Sequence, residues 1–119
     1  MATKTLQIGS SIPEFNLLSI DGKKYSLNSL KDKKALIIVF GCNHCPYVQA
    51  YENRIMAIQK DYEGKGVSVI AINSNDAVQY PEDSFEEMKK RAAFKKFNFV
   101  YLTDEDQSVA KNFDAAHTP

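Results

Sequence analysis

Two six-residue stretches rich in β-branched residues, the uninterrupted apolar run Ala35–Phe40 and Val67–Ile72 with Ser68 its one polar residue, constrain this chain more than any other feature. Such stretches, the first bounded by lysines and a glycine, read as strands buried on both faces of a sheet. The segment between them changes period. From Pro46, residues Val48, Tyr51, Ile55, Ile58 and Tyr62 recur at spacings of three and four, one apolar stripe of a helix, and Gly64 and Gly66 end it. Strand, helix, strand in this order is a βαβ unit with a right-handed crossover, and strands buried on both sides need helices above and below them.

The flanking sequence extends the pattern. Asp21-Gly22 is a turn signal between two short extended pieces, predicting a β-hairpin over about Phe15 to Leu27. Lys31 to Lys34 is a charged connector, and the polar stretch Asn73 to Asp83, which contains Pro81, reads as a surface loop. Ser84 with Glu87 has the spacing of a capping box for a helix from about Phe85 to Lys96, with Phe85, Met88 and Ala92 on its inner face. Phe99 to Leu102 is a short strand, and Asp104 or Asp106 caps a last helix carrying Val109, Ala110 and Phe113. The expected class is α/β, with a central, mostly parallel sheet.

Composition excludes several roles. Fifteen Lys and Arg balance fifteen Asp and Glu, so the chain lacks the basic excess of an electrostatic nucleic-acid binder. Its longest apolar run is far short of the ~20 residues that span a bilayer. Met1 to Gly9 has no apolar core of the kind a secretory signal needs, so the expected compartment is the cytoplasm, where thiols are kept reduced.

Two cysteines are too few for a disulfide scaffold, and the small loop they would close adds little stability. Cys42-Asn43-His44-Cys45 therefore calls for chemistry. It sits where a strand gives way to a helix, where unpaired backbone N–H groups and the helix dipole stabilise a thiolate. A second cysteine one turn on can resolve a mixed disulfide formed at the first. Partly protonated, His44 favours a charged sulfur beside it, and Pro46 suits the first turn of a helix. Zinc or copper binding competes on donor count, since Cys42, Cys45, His44 and His117 make four nitrogen and sulfur donors. His44 lies between the cysteines, however, and no second C-x-x-C exists, so no metal ligand and no cofactor is assigned.

Pro13-Glu14-Phe15-x-Leu17, Asp21-Gly22-Lys23-x-Tyr25-Ser26-Leu27, the Ala35–Phe40 strand, Cys42-x-x-Cys45-Pro46, Val67–Asn73, Tyr101-Leu102-Thr103-Asp104 and Thr118-Pro119 occur in an order that resembles the redoxin branch of thioredoxin-fold proteins. That branch includes the alkyl hydroperoxide reductase/thiol-specific antioxidant proteins, or peroxiredoxins. The resemblance implies a thioredoxin-like fold and a thiol–disulfide oxidoreductase. Cys42 would be the exposed nucleophile, Cys45 the resolving thiol, and Asn43, His44 and Pro46 their modulators. Thr118 and Pro119 would form the substrate loop with its cis-proline. The implied partners are protein or small-molecule disulfides, peroxides and a dithiol electron donor, with no nucleic acid and no membrane.

Departures from the family pattern sharpen the alternatives. Gly41 stands where thioredoxins carry Trp, and Leu36 where they carry a buried acid. His44 resembles the second intervening residue of more oxidising relatives. In peroxiredoxins the motif is T-x-x-C; aligned on it, Cys45 is the peroxidatic cysteine and Cys42 its partner in place of the threonine. A further alternative is a metal-binding or redox-sensing module without turnover. Residues 1–119 then make a single incomplete domain, lacking the C-terminal strand pair and helix that follow the proline loop in the family. Without them Ala35–Phe40 becomes a sheet edge, a surface for self-association.

Overall fold

The computed structural model describes residues 6–115; Thr118, Pro119 and His117 lie outside the described residues. Five strands form one sheet in the order β2-β1-β5-β4-β3. The hairpin appears as β1 (Asn16–Ser19) antiparallel to β2 (Lys24–Ser26), turned through Gly22. Strands β3 (Ala35–Phe40), β4 (Val67–Asn73) and β5 (Val100–Thr103) are parallel, and β1 joins the sheet by running antiparallel to β5.

The two apolar runs have different surroundings. β4 lies inside the sheet and is buried from Ser68 to Asn73. β3 is half-buried to exposed along its length, and Ile37 is exposed. The expectation of two-faced burial therefore holds for β4 and fails for β3, because among the described residues no strand pairs with the outer side of β3. Among the described residues β3 lies at the edge of the sheet.

Helices cover both faces. On one face α1 (Pro46–Tyr62) and α2 (Phe85–Lys95) close over Val69, Ala71, Met88, Phe99 and Tyr101. On the other, Phe15, Leu30 and Val109, from the N-terminal segment, a 3-10 turn and the five-residue α3 (Ser108–Asn112), pack on Ile70, Ile72 and Leu102. No described helix is long and apolar enough to cross a membrane.

Capping follows the sequence closely but not completely. Ser84 Oγ accepts the Glu87 N–H at 3.2 Å, while the Ser84 N–H goes to Pro81 O, so the cap is one-sided rather than a reciprocal box. Both acidic candidates serve α3: Asp104 accepts from the Val109 and Ala110 N–H groups, and Asp106 from Ser108.

The inner face of α1 differs from the predicted stripe. Its buried residues are Val48, Glu52 and Gln59, and Tyr51, Ile58 and Tyr62 are exposed. Two polar side chains turn inward because each has a partner there. Gln59 Oε1 accepts the Val69 N–H at 2.7 Å and its Nε2 reaches Val67 O at 3.5 Å, in the part of β4 that precedes its pairing with β5. Glu52 is held by Arg91 of α2. The outward-facing tyrosines carry cations instead, Arg54 over Tyr51 and Lys65 over Tyr62.

Gly66 makes the turn from α1 into β4 with φ +82°, and its carbonyl accepts the Lys34 N–H at 2.8 Å. A Cβ there would lie 3.0 Å from Lys34 Cγ. Left-handed backbone costs a residue with a Cβ about 1–2 kcal/mol. Gly66→Ala should therefore lower unfolding stability by about that amount, read as a lower urea midpoint at unchanged slope.

Candidate active site

The backbone sets the site. Gly41 N–H still donates to Ile72 O at 2.9 Å, extending the β3–β4 ladder by one residue, and the chain then turns into α1. A Cβ on Gly41 would meet Val48 Cγ1 at 3.2 Å, so the turn passes tightly against the first turn of the helix. Cys45 is the N-cap, with φ −71° and ψ 116°, and Pro46 follows at the first helical position, where a missing N–H costs nothing. Cys42 and Cys45 are joined as a disulfide, their Cα atoms 5.7 Å apart. The Cys45 N–H donates to Cys42 Sγ at 3.1 Å.

The expected site residues are thus together: Cys42, Asn43, His44, Cys45 and Pro46 form one strand-to-helix turn. Two expectations are corrected. The second cysteine is not one turn into the helix but caps its start, because Pro46 fixes where the helix can begin. And Cys42, expected to be the exposed sulfur, belongs to a residue only 2% exposed, whereas Cys45 is half-buried. The turn tucks Cys42 beneath the helix end. Tyr47, just past the motif, is 74% exposed.

The segment read as a surface loop after β4 supplies the residue that organises the turn. Asp83 is buried, and its carboxylate gathers three hydrogen-bond donors. Oδ1 accepts the Asn43 N–H at 2.6 Å and Asn73 Nδ2 at 3.2 Å; Oδ2 accepts Asn75 Nδ2 at 2.9 Å. His44 Nδ1 lies 2.5 Å from Oδ2, a close approach outside good hydrogen-bond alignment. The His44 ring stacks on Tyr80, centroids 5.5 Å apart at 18°. Asn43 is fully engaged: its Nδ2 donates to Glu82 O, its Oδ1 accepts the Tyr101 hydroxyl at 2.6 Å and its carbonyl accepts Gln49 Nε2. Burial pushes the Tyr101 hydroxyl well above the ordinary tyrosine range, which keeps it a donor.

Two cavities flank the motif. An open cleft of about 470 Å³ is lined by His44, Cys45, Ser74, Asn75, Tyr80 and Lys111. On the other side a cavity of about 20 Å³, room for one water, is bordered by Cys42, Glu52 and Tyr101 among apolar side chains. Glu52 is 3% exposed and pairs with Arg91 through two contacts, Nη2–Oε1 at 2.5 Å and Nε–Oε2 at 3.2 Å. A buried acid therefore does stand beside the motif, on α1 rather than at position 36, where Leu36 packs in the opposite core. One donor atom each from Cys42, His44 and Cys45 lie within 4.8 Å of one another.

Asp83, Glu52, Arg91 and Tyr101 were not singled out from the sequence. The signal was thin: an acid just before the Ser84 cap, and a glutamate three residues short of Ile55 on an otherwise mixed helix. Removing one partner of a buried pair strands the other charge. Arg91→Ala should destabilise the fold by about 3 kcal/mol, at the low end of the usual range because Arg91 is partly exposed. Adding Glu52→Leu to that variant should restore most of the loss, a coupling readable in a double-mutant denaturation cycle.

Comparison with known proteins completes the site. The Redoxin family model matches residues 7–119. A solved structure of an uncharacterized conserved protein from Geobacillus kaustophilus is 48% identical with a TM-score of 0.91, covering 95% of this chain and 60% of that one. The thiol-disulfide oxidoreductase ResA of Bacillus anthracis is 32% identical over 73 residues, 60% of this chain and 40% of that protein. Chloroplastic peroxiredoxin Q of Oryza sativa subsp. japonica is 27% identical over 105 residues, 88% of this chain and 45% of that protein. The chain spans 60% or less of each of these three. Thioredoxin-domain structures at 18% identity share the fold, with a TM-score of 0.80.

Proposed function

Since the chain belongs to the Redoxin family, we propose that it is a thiol–disulfide oxidoreductase whose redox centre is the Cys42–Cys45 pair. The observation that carries this reading is the Cys45 N–H aimed at Cys42 Sγ, at the N-cap of α1. An N–H donor and a helix N-terminus both favour the charged sulfur, which lowers a thiol's pKa and raises its thiolate fraction at neutral pH.

In the reducing direction the Cys42 thiolate attacks one sulfur of a substrate disulfide. That bond breaks, one substrate thiolate leaves, and a mixed disulfide remains at Cys42. The Cys45 thiol then loses its proton and attacks Cys42 Sγ, expelling the second substrate thiolate. Two electrons have passed to the substrate, and the product is the Cys42–Cys45 disulfide of the structure. A dithiol donor runs the same steps in reverse to reset the pair. Asn43 holds the turn through its four hydrogen bonds, and His44 stands beside the sulfurs with its ring fixed by Asp83 and Tyr80. The substrates are protein or small-molecule disulfides.

The order of attack is open to a direct trap. Cys45→Ser should accumulate a mixed disulfide with a disulfide-bonded peptide at Cys42, seen by intact-mass spectrometry. Cys42→Ser should not trap at Cys45, and both variants should drop to background in insulin reduction. Trapping at Cys45 alone would reverse the assignment.

A second reading has its own observation: Cys45, not Cys42, borders the larger cleft. A peroxide entering there would transfer one oxygen atom to the Cys45 thiolate, leaving a sulfenate and a molecule of water or alcohol. Protonated, the sulfenate condenses with the Cys42 thiol, releasing water and forming the disulfide. On this reading Cys42→Ser exposed to dilute peroxide gives a dimedone-reactive sulfenic acid at Cys45. Absence of that label, with the thiol intact, rules the peroxidase out.

A further inference from the structure

Reduction of the Cys42–Cys45 bond leaves two sulfurs and an imidazole in a space fit for one ion. One donor atom each from Cys42, His44 and Cys45 already lie within 4.8 Å of one another. Two metal–sulfur bonds of roughly 2.3 Å and a metal–nitrogen bond of roughly 2.0 Å keep all three donors within that span, so reduction need only let the two bonded sulfurs move apart. Two thiolates and an imidazole are the donor set of a thiophilic ion, and carboxylate or water sites for Mg²⁺ or Ca²⁺ look different.

The second observation is what holds the histidine. His44 Nδ1 faces the buried Asp83 carboxylate at 2.5 Å, and the ring is stacked flat on Tyr80. A metal-bound histidine characteristically sets its other ring nitrogen against a carboxylate, and Asp83 stands close enough to take that place. Asp83 is itself pinned by Asn43, Asn73 and Asn75, so the imidazole is oriented before any ion arrives. The ring is 34% exposed and borders the open cleft, which leaves a route in and a fourth coordination position for water.

We propose that the reduced chain binds one Zn²⁺ ion through Cys42, Cys45 and His44, and that oxidation of the cysteine pair releases it. Reduction by a dithiol delivers two electrons to the disulfide and gives two thiols, the dithiol becoming a disulfide. The ion then displaces the two thiol protons. Re-oxidation by a disulfide takes two electrons from the bound thiolates, re-forms the Cys42–Cys45 bond, and frees the ion and two substrate thiolates. The proposal needs the dithiol but no turnover, so it stands or falls apart from the oxidoreductase reading.

The test is Zn²⁺ titration of the reduced protein, reductant removed anaerobically, against a chromophoric chelator, with Co²⁺ as a spectroscopic probe. One equivalent should bind to the reduced protein and none to the oxidised. Co²⁺ should show thiolate charge-transfer absorption with tetrahedral visible bands. His44→Ala should weaken Zn²⁺ binding by about tenfold or more and move the visible bands, with two free thiols still counted; Asp83→Asn should weaken it about tenfold. No stoichiometric binding by the reduced protein overturns the proposal. So does unchanged affinity with unchanged cobalt bands in His44→Ala, which would leave bare dithiol chelation.

Discussion

One buried carboxylate organises the reactive end of this molecule. Asp83 is a polar group that water no longer reaches, and such a group persists in a fold only when donors surround it. Those donors come from separate places, the backbone of the C-x-x-C turn and two asparagines at the end of β4 and just past it, and the His44 ring lies against the same carboxylate. Satisfying Asp83 therefore fixes the turn, the imidazole and the following loop in one arrangement. Tyr101 adds β5 to the same network through Asn43.

The location follows a general rule of parallel sheets, which gather their chemistry beyond the carboxyl ends of the strands. β3 leads into Cys42, β4 into Asn73 and Ser74, and β5 into Asp104, which accepts the Ser74 hydroxyl and caps α3. The strand ends stay in register through backbone bonds, with Gly41 tied to Ile72 and Asp104 to Asn73. The disulfide thus sits on a platform whose parts cannot shift singly.

What the sequence disclosed and what it withheld divide along the range of the interactions. The hairpin at Asp21-Gly22, the strands, the Ser84 cap and the junction bearing Cys42 and Cys45 arise from local preferences and short periodicities, and they were legible. The inner face of α1 was not. An apolar stripe through Tyr51 and Ile58 looks better than one through Glu52 and Gln59 until Arg91, thirty-nine residues away, and the Val69 backbone are in place. Asp83 was hidden for the same reason: a polar stretch with a proline suggests solvent, and its forty-residue partnership with Asn43 has no local signature. Strand burial failed for β3 because hydrophobicity records what a strand tolerates, not how many neighbours pair with it.

Gln59 shows how narrow such a hidden requirement can be. Its amide takes the place of a peptide group beside β4, accepting from one residue and donating toward another two positions away. Glutamate at this position keeps the acceptor and loses the donor, asparagine is too short to reach, and leucine offers neither. A position that looks like an ordinary polar site on a helix surface is therefore tied to the main chain of the strand beside it. Its side chain behaves there as one more peptide group of the sheet.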